Sequence, residues 1–247
     1  MNGTEIAPVE IPIWIDILAV FVAGIAGSLI AARHDFDITG VIFLAVISGL
    51  GGGIIRDTLI QRGTPLALEN SNYLIAAFAA AAIGFFFSQR LGRVDWVFTL
   101  FSALSLGLYT LVGVLKGLEA DLPTLSVLLL GIITAAGGGI LLDILLTRTP
   151  TAFQPGAPYA LLSLIGGIMV VMLDELDISE EWLWWLPVVT VVLLRFAALR
   201  LGWQTPLATD LPRHVRTMVP KATMPKAVRI PRRRKHVEGN GGIDDAG

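Results

Sequence analysis

The chain has 247 residues, of which 54% are hydrophobic and only 15% charged, and its mean hydropathy is +0.73. A soluble domain carries about 25% charged residues, so these charges are too few to clothe a water-facing globule, and the hydrophobicity excludes disorder for most of the length. The absence of cysteine excludes a disulfide scaffold, a thiolate metal site and a cysteine nucleophile.

What remains is an all-α integral membrane protein, expected in the cell inner (plasma) membrane. A bilayer core about 30 Å thick is crossed by roughly 20 mostly apolar helical residues. Seven segments meet that need, at about 13–32, 39–60, 73–88, 95–115, 123–147, 158–173 and 182–199. Their apolar runs are continuous, whereas a membrane barrel alternates in strands of about ten residues. The first segment has no Lys or Arg before Arg33. It therefore lacks the basic start of a cleaved signal peptide and reads as a span.

Orientation follows from the basic residues beside the spans. With the N-terminus outside, the inner loops hold Arg33, Arg90, Arg93 and Arg148 and the outer loops hold Arg62 and Lys116. The last outer loop carries Asp174, Glu175, Asp177, Glu180 and Glu181 and no basic residue. Trp182, Trp184 and Trp185 stand where the seventh span enters, as an aromatic belt requires. Residues 1–12 form an extracytoplasmic N-terminus, 13–199 the membrane domain, and 200–247 a Pro-rich cytoplasmic tail expected to be disordered. The formal net charge of −2 is a cancellation: residues 1–199 hold 8 Lys/Arg against 16 Asp/Glu, and the tail holds 10 against 4. Arg232, Arg233, Arg234 and Lys235 form a basic run that suits anionic lipid headgroups, though a topology-fixing tail explains it as simply.

The sequence repeats itself at an offset of 86 residues. Gly51, Gly52 and Gly53 match Gly137, Gly138 and Gly139; Asp57 matches Asp143; Arg62 matches Arg148; and Thr64-Pro65 meets Thr149-Pro150 after one deletion. The unit is three spans, an odd number, so the second unit starts from the opposite face. This predicts an inverted repeat of spans 1–3 and 4–6, with a seventh helix added. Inverted repeats recur in transporters, where helices interrupted at corresponding positions mark the site. Spans two and five are such a pair, because three successive glycines weaken each helix.

Arg56 and Asp57 follow the first triad and Asp143 follows the second. Charges inside spans are expensive and face a cavity or a partner. Adjacent helical positions point about 100° apart, so Arg56 and Asp57 are not expected to face each other. Asp57 and Asp143 are expected to approach the pseudo-two-fold axis from opposite sides. The plainer reading is packing, with glycines allowing close contact and the charges acting as internal staples. Gly24 and Gly27 on span one, and Ala76–Ala82 on span three, read as packing faces. Ser102, Ser105, Tyr109 and Thr110 give span four a polar stripe. Lys116 and Arg195 read as snorkelling cations near span ends. Among the motifs there is no metal constellation, no nucleotide P-loop and no G-x-S-x-G, so neither a cofactor nor a nucleic-acid partner is expected.

The doubled Gly-Gly-Gly motif with its carboxylate and Thr-Pro resembles the prokaryotic seven-span family related to trimeric intracellular cation channels (the TRIC type). That family includes UPF0126-like membrane proteins and proteins described as glycine transporters. The resemblance covers about residues 13–199. It implies a homotrimer with a potassium-conducting pore in each protomer, lined by spans two and five. Gly51, Gly52, Gly53, Arg56, Asp57, Gly137, Gly138, Gly139 and Asp143 inherit those roles by position. One position departs: Leu142 stands where the family pattern has a second arginine.

Four functions compete, of which a non-transporting structural or assembly protein is opposed by the charged, glycine-interrupted spans. A passive potassium channel is favoured, and a secondary transporter for a small amino acid such as glycine is the alternative. An intramembrane enzyme built on an Asp57–Asp143 dyad lacks further catalytic machinery.

Overall fold

The computed structural model describes residues 12–203 apart from 35, 92–94, 155–157 and 177, and every regular element among them is helical. The chain runs through α1 (Ile13–Arg33), α2 (Ile38–Ile60), the single turn α3 (Leu66–Glu69), α4 (Ser71–Leu91), α5 (Asp95–Glu119), α6 (Thr124–Leu145), a 3-10 turn (Thr151–Phe153), α7 (Tyr159–Glu175) and α8 (Glu180–Arg200). The seven long helices fall on the seven expected segments. Five of them, α1, α2, α5, α6 and α8, are long and apolar enough to cross a membrane, and Ser71–Phe87 is a shorter apolar helix. The N-terminal 1–11 and the tail from 204, including Arg232, Arg233, Arg234 and Lys235, lie outside the described residues.

Helices suit this composition because lipid offers no partner to a backbone N–H or C=O. Large apolar side chains such as Phe43, Phe78, Phe86, Leu125 and Leu193 are exposed, while glycine, alanine and serine sit at helix contacts beside buried Leu, Ile and Val. Gly24 on α1 meets Ala80 of α4, and Gly27 meets Ser48 of α2, so that face of α1 serves packing as expected. Trp14 stacks edge-on to Trp184 at 6.2 Å and lies 6.1 Å from Trp185, which brings the starts of α1 and α8 to one end of the bundle.

The repeat is visible in local detail. α2 ends on Gln61 with φ 57°, and its counterpart Thr147 after α6 has φ 54°. Each Thr-Pro pair then opens a short helical turn, α3 in one half and the 3-10 turn in the other. α1 packs against α2, α4 and α5; α5 packs against α6, α7 and α8; and α2 and α6 meet between them.

Candidate functional site

The meeting of α2 and α6 is built by the glycine triads. A Cβ added to Gly52 would collide with the carbonyl oxygen of Thr134, and one added to Gly138 would collide with that of Ser48. A Cβ on Gly51 would stand 2.8 Å from Leu141 Cδ1, and one on Gly137 would stand 3.1 Å from Ile55 Cδ1. Each of these contacts is made twice, with the two helices exchanging roles. Residue 51 meets 141 while 55 meets 137, so the helices cross antiparallel. The third glycines differ: Gly53 faces only the Arg56 guanidinium at 3.8 Å, and Gly139 faces open space.

Neither helix is interrupted at its triad. Helical structure runs unbroken from Ile38 to Ile60 and from Thr124 to Leu145. This corrects the expectation of glycine-broken spans. The glycines are spent on close approach, which leaves the intrahelical ladder intact and brings two backbones into contact.

Asp57 and Asp143 do not converge on the axis. Each lies near the C-terminal end of its helix, and the antiparallel crossing sends those ends apart. Each fastens the turn that follows. Asp57 accepts from the Leu66 N–H at 3.0 Å, and Asp143 accepts from the Thr151 N–H and hydroxyl, both at 2.6 Å. Asp143 is also paired with Arg148 at 2.6 Å.

Arg56 is 1% exposed, and two carboxylates take up its charge. It donates to Asp16 on α1 through Nη1 and Nη2, at 3.2 and 3.0 Å, and through Nε to Asp57 at 2.8 Å. Tyr73 of α4 donates its hydroxyl to the same Asp16 at 3.0 Å. The bond between adjacent Arg56 and Asp57 corrects the expectation that they would not meet. The Arg side chain is long enough to fold its Nε back along the helix. Nothing in the motif pattern marks Asp16 or Tyr73, although an acid within the first span calls for a buried partner.

The second half holds a related cluster. Ser102 and Tyr159, 86 residues after Asp16 and Tyr73, hydrogen-bond through their hydroxyls at 2.9 Å. Leu142, at the place of Arg56, is buried among Ile30, Ala31, Val41 and Leu44. The guanidinium here comes from Arg195 of α8. Its Nη2 reaches Ser102 Oγ at 3.4 Å, and its Cζ lies 4.1 Å from the centre of the Tyr159 ring. Arg195 is 7% exposed and does not snorkel to a headgroup.

Among the described residues, two cavities flank the crossing. The larger, about 460 Å³, is lined by Ser48, Tyr109, Gly138, Gly139, Asp143 and Arg195, among others. Ser102 and Ser105 of the α5 stripe also face it, while Thr110 bonds Ser163 at 2.8 Å. The smaller, about 230 Å³, lies at the α2 end beside Asp57, Arg62, Glu69, Lys116 and Glu119. Arg56, Gly51, Gly52, Gly53 and Gly137 line neither. Arg62 ties this end to α5 by donating to the carbonyls of Glu119 and Ala120 at 2.8 and 2.9 Å. Among the described residues no group of acidic or histidine side chains is arranged to hold a metal.

The glycine transporter family profile matches residues 13–89 and again 99–175, two copies displaced by the same 86 residues. The chain belongs to this family. Among family relatives, a UPF0126 membrane protein of Deinococcus radiodurans is 34% identical over 137 residues, covering 56% of this chain and 64% of that protein. The UPF0126 inner membrane protein YadS of Escherichia coli is 29% identical over 198 residues, covering 79% and 94%. In solved structures, the fold is similar to the TRIC trimeric intracellular cation channel orthologue from Rhodobacter sphaeroides. That match has a TM-score of 0.72 at 27% identity and covers 77% of this chain and 97% of the other. A second TRIC cation channel matches with a TM-score of 0.70 at 27% identity over 80% and 97%. The chain is thus a membrane protein of a transport family with the TRIC channel fold.

Proposed function

We propose that the protein is a passive channel for monovalent cations, chiefly potassium. It works as a homotrimer in the inner membrane, with one path per protomer and with N-terminus outside and C-terminus inside. The seven long helices serve as seven spans, two inverted sets of three followed by α8. The observation that carries this reading is the pair of cavities at opposite ends of the α2–α6 crossing, in a fold shared with cation channels. The path runs from one cavity to the other past the triads, where only glycine allows two backbones so close. The smaller cavity is lined by Asp57, Glu69 and Glu119 against Arg62 and Lys116, an excess of negative charge that concentrates cations. Asp57 and Asp143 hold the turns at the two mouths.

A transporter for a small amino acid is the second reading, favoured by the family's description and by a cavity large enough for such a molecule. Potassium current and labelled glycine uptake, measured side by side in liposomes holding the purified protein, separate the two. We expect potassium flux well above empty liposomes and a several-fold loss in Asp57→Ala and Asp143→Ala. Glycine uptake without potassium current would replace the channel reading with the transporter. Neither flux above empty liposomes would end both.

A further inference from the structure

The two buried guanidiniums invite a direct comparison. Arg56 is saturated: two carboxylates take its Nε, Nη1 and Nη2. Arg195 has the same kind of surroundings with the carboxylates removed. Ser102 stands at the position equivalent to Asp16 and offers a neutral oxygen at 3.4 Å. Arg195 Nε and Nη1 are buried and have no hydrogen-bond acceptor. A buried guanidinium left in that state is strongly unfavourable, because its lost hydration is not replaced. Arg195, Ser102 and Tyr159 all line the cavity of about 460 Å³. Its other charged lining residues among those described are Arg33, Arg148 and Asp143, an excess of positive charge.

We infer that this cavity binds a small carboxylate anion on Arg195, which supplies to the second half the group that Asp16 supplies to the first. The anion's oxygens accept from the free guanidinium donors, as those of Asp16 accept from Arg56. Charge-assisted pairing of this kind suits planar carboxylates better than spherical ions. The Tyr159 ring covers one face of the guanidinium and limits the approach to its edge. The inference rests on the chemistry of the cavity itself, where a bound anion offsets the positive lining of the path proposed for cations.

Equilibrium binding of labelled acetate to the purified full chain tests it. We expect one saturable site per chain, displaced by unlabelled acetate and by glycine. Binding is expected to fall at least tenfold in Arg195→Gln. It is expected to fall equally in Ser102→Asp, which installs the missing carboxylate and leaves the cation in place. Asp16→Asn, in the other cluster, is expected to bind acetate within twofold of the unmodified chain. If Arg195→Gln does not fold, Ser102→Asp alone decides. No saturable binding, or unreduced binding in Ser102→Asp, overturns the inference. Displacement by chloride as effective as by acetate overturns the carboxylate assignment in favour of an inorganic anion. Because binding is read without flux, its failure leaves the channel proposal standing, and failure of potassium flux leaves this one standing.

Discussion

The two halves of the molecule solve one packing problem alike and one electrostatic problem differently. At the α2–α6 crossing, Gly52 against Thr134 and Gly138 against Ser48 are the same contact made twice. In the clusters behind that crossing, Asp16, Arg56, Asp57 and Tyr73 form a closed network with an excess of negative charge. Ser102, Tyr159 and Arg195 form an open one with an unmatched positive charge. Duplicated sequence therefore preserves shape more strictly than charge. Shape at a backbone contact tolerates no extra atom, whereas a charge is replaceable by another helix or by a bound ion.

The largest expected break in this comparison comes from Arg56→Gln. It strands Asp16 and Asp57 in the interior and should cost about 3–5 kcal/mol in an unfolding titration in detergent micelles. Arg195→Gln strands no carboxylate and should cost less than about 1 kcal/mol in the same assay. Equal losses would show that the two clusters are energetically alike. Next in size, Gly52→Ala and Gly138→Ala should each cost about 1–3 kcal/mol, since the added methyl meets backbone that has no room to move. Gly139→Ala faces open space and should gain up to about 1 kcal/mol from helix propensity. A difference between the Gly52 and Gly138 variants would measure how far the crossing departs from two-fold symmetry. The smallest contrast is between the tyrosines. Tyr73→Phe removes a bond to a carboxylate and should cost about 1.5–3 kcal/mol, while Tyr159→Phe removes one to a hydroxyl and should cost about 0.5–1.5 kcal/mol.

Much of the fold was legible because apolar run length and the 86-residue echo are properties of the chain itself. The segments at 13–32 and 39–60 match α1 and α2 within a residue. The triads stand out in the sequence, but their effect does not. Glycine's low helix propensity suggested a break, and packing against a second helix kept the ladder whole. The role of Arg195 is less legible still. Its position near the end of an apolar helix is what snorkelling predicts, and nothing local distinguishes a cation that reaches outward from one that turns inward. Asp16 lay in plain view within the first span. Its partner, Arg56, is 40 residues away, and only the packing of α1 on α2 brings the two together.

By itself the sequence determined that the chain is helical and membrane-bound, that its first six long segments are two copies of three, and where the two copies carry glycine and acid. Those follow from hydrophobic run length, from charge scarcity and from self-similarity, each readable along one dimension. The tertiary structure decided which charges are satisfied. It paired Arg56 with Asp16, sent Asp57 and Asp143 to opposite ends of the crossing, and left Arg195 with donors to spare beside a cavity. Partnership between buried charges depends on distances of about 3 Å between residues tens of positions apart. Those distances exist only once the helices have packed.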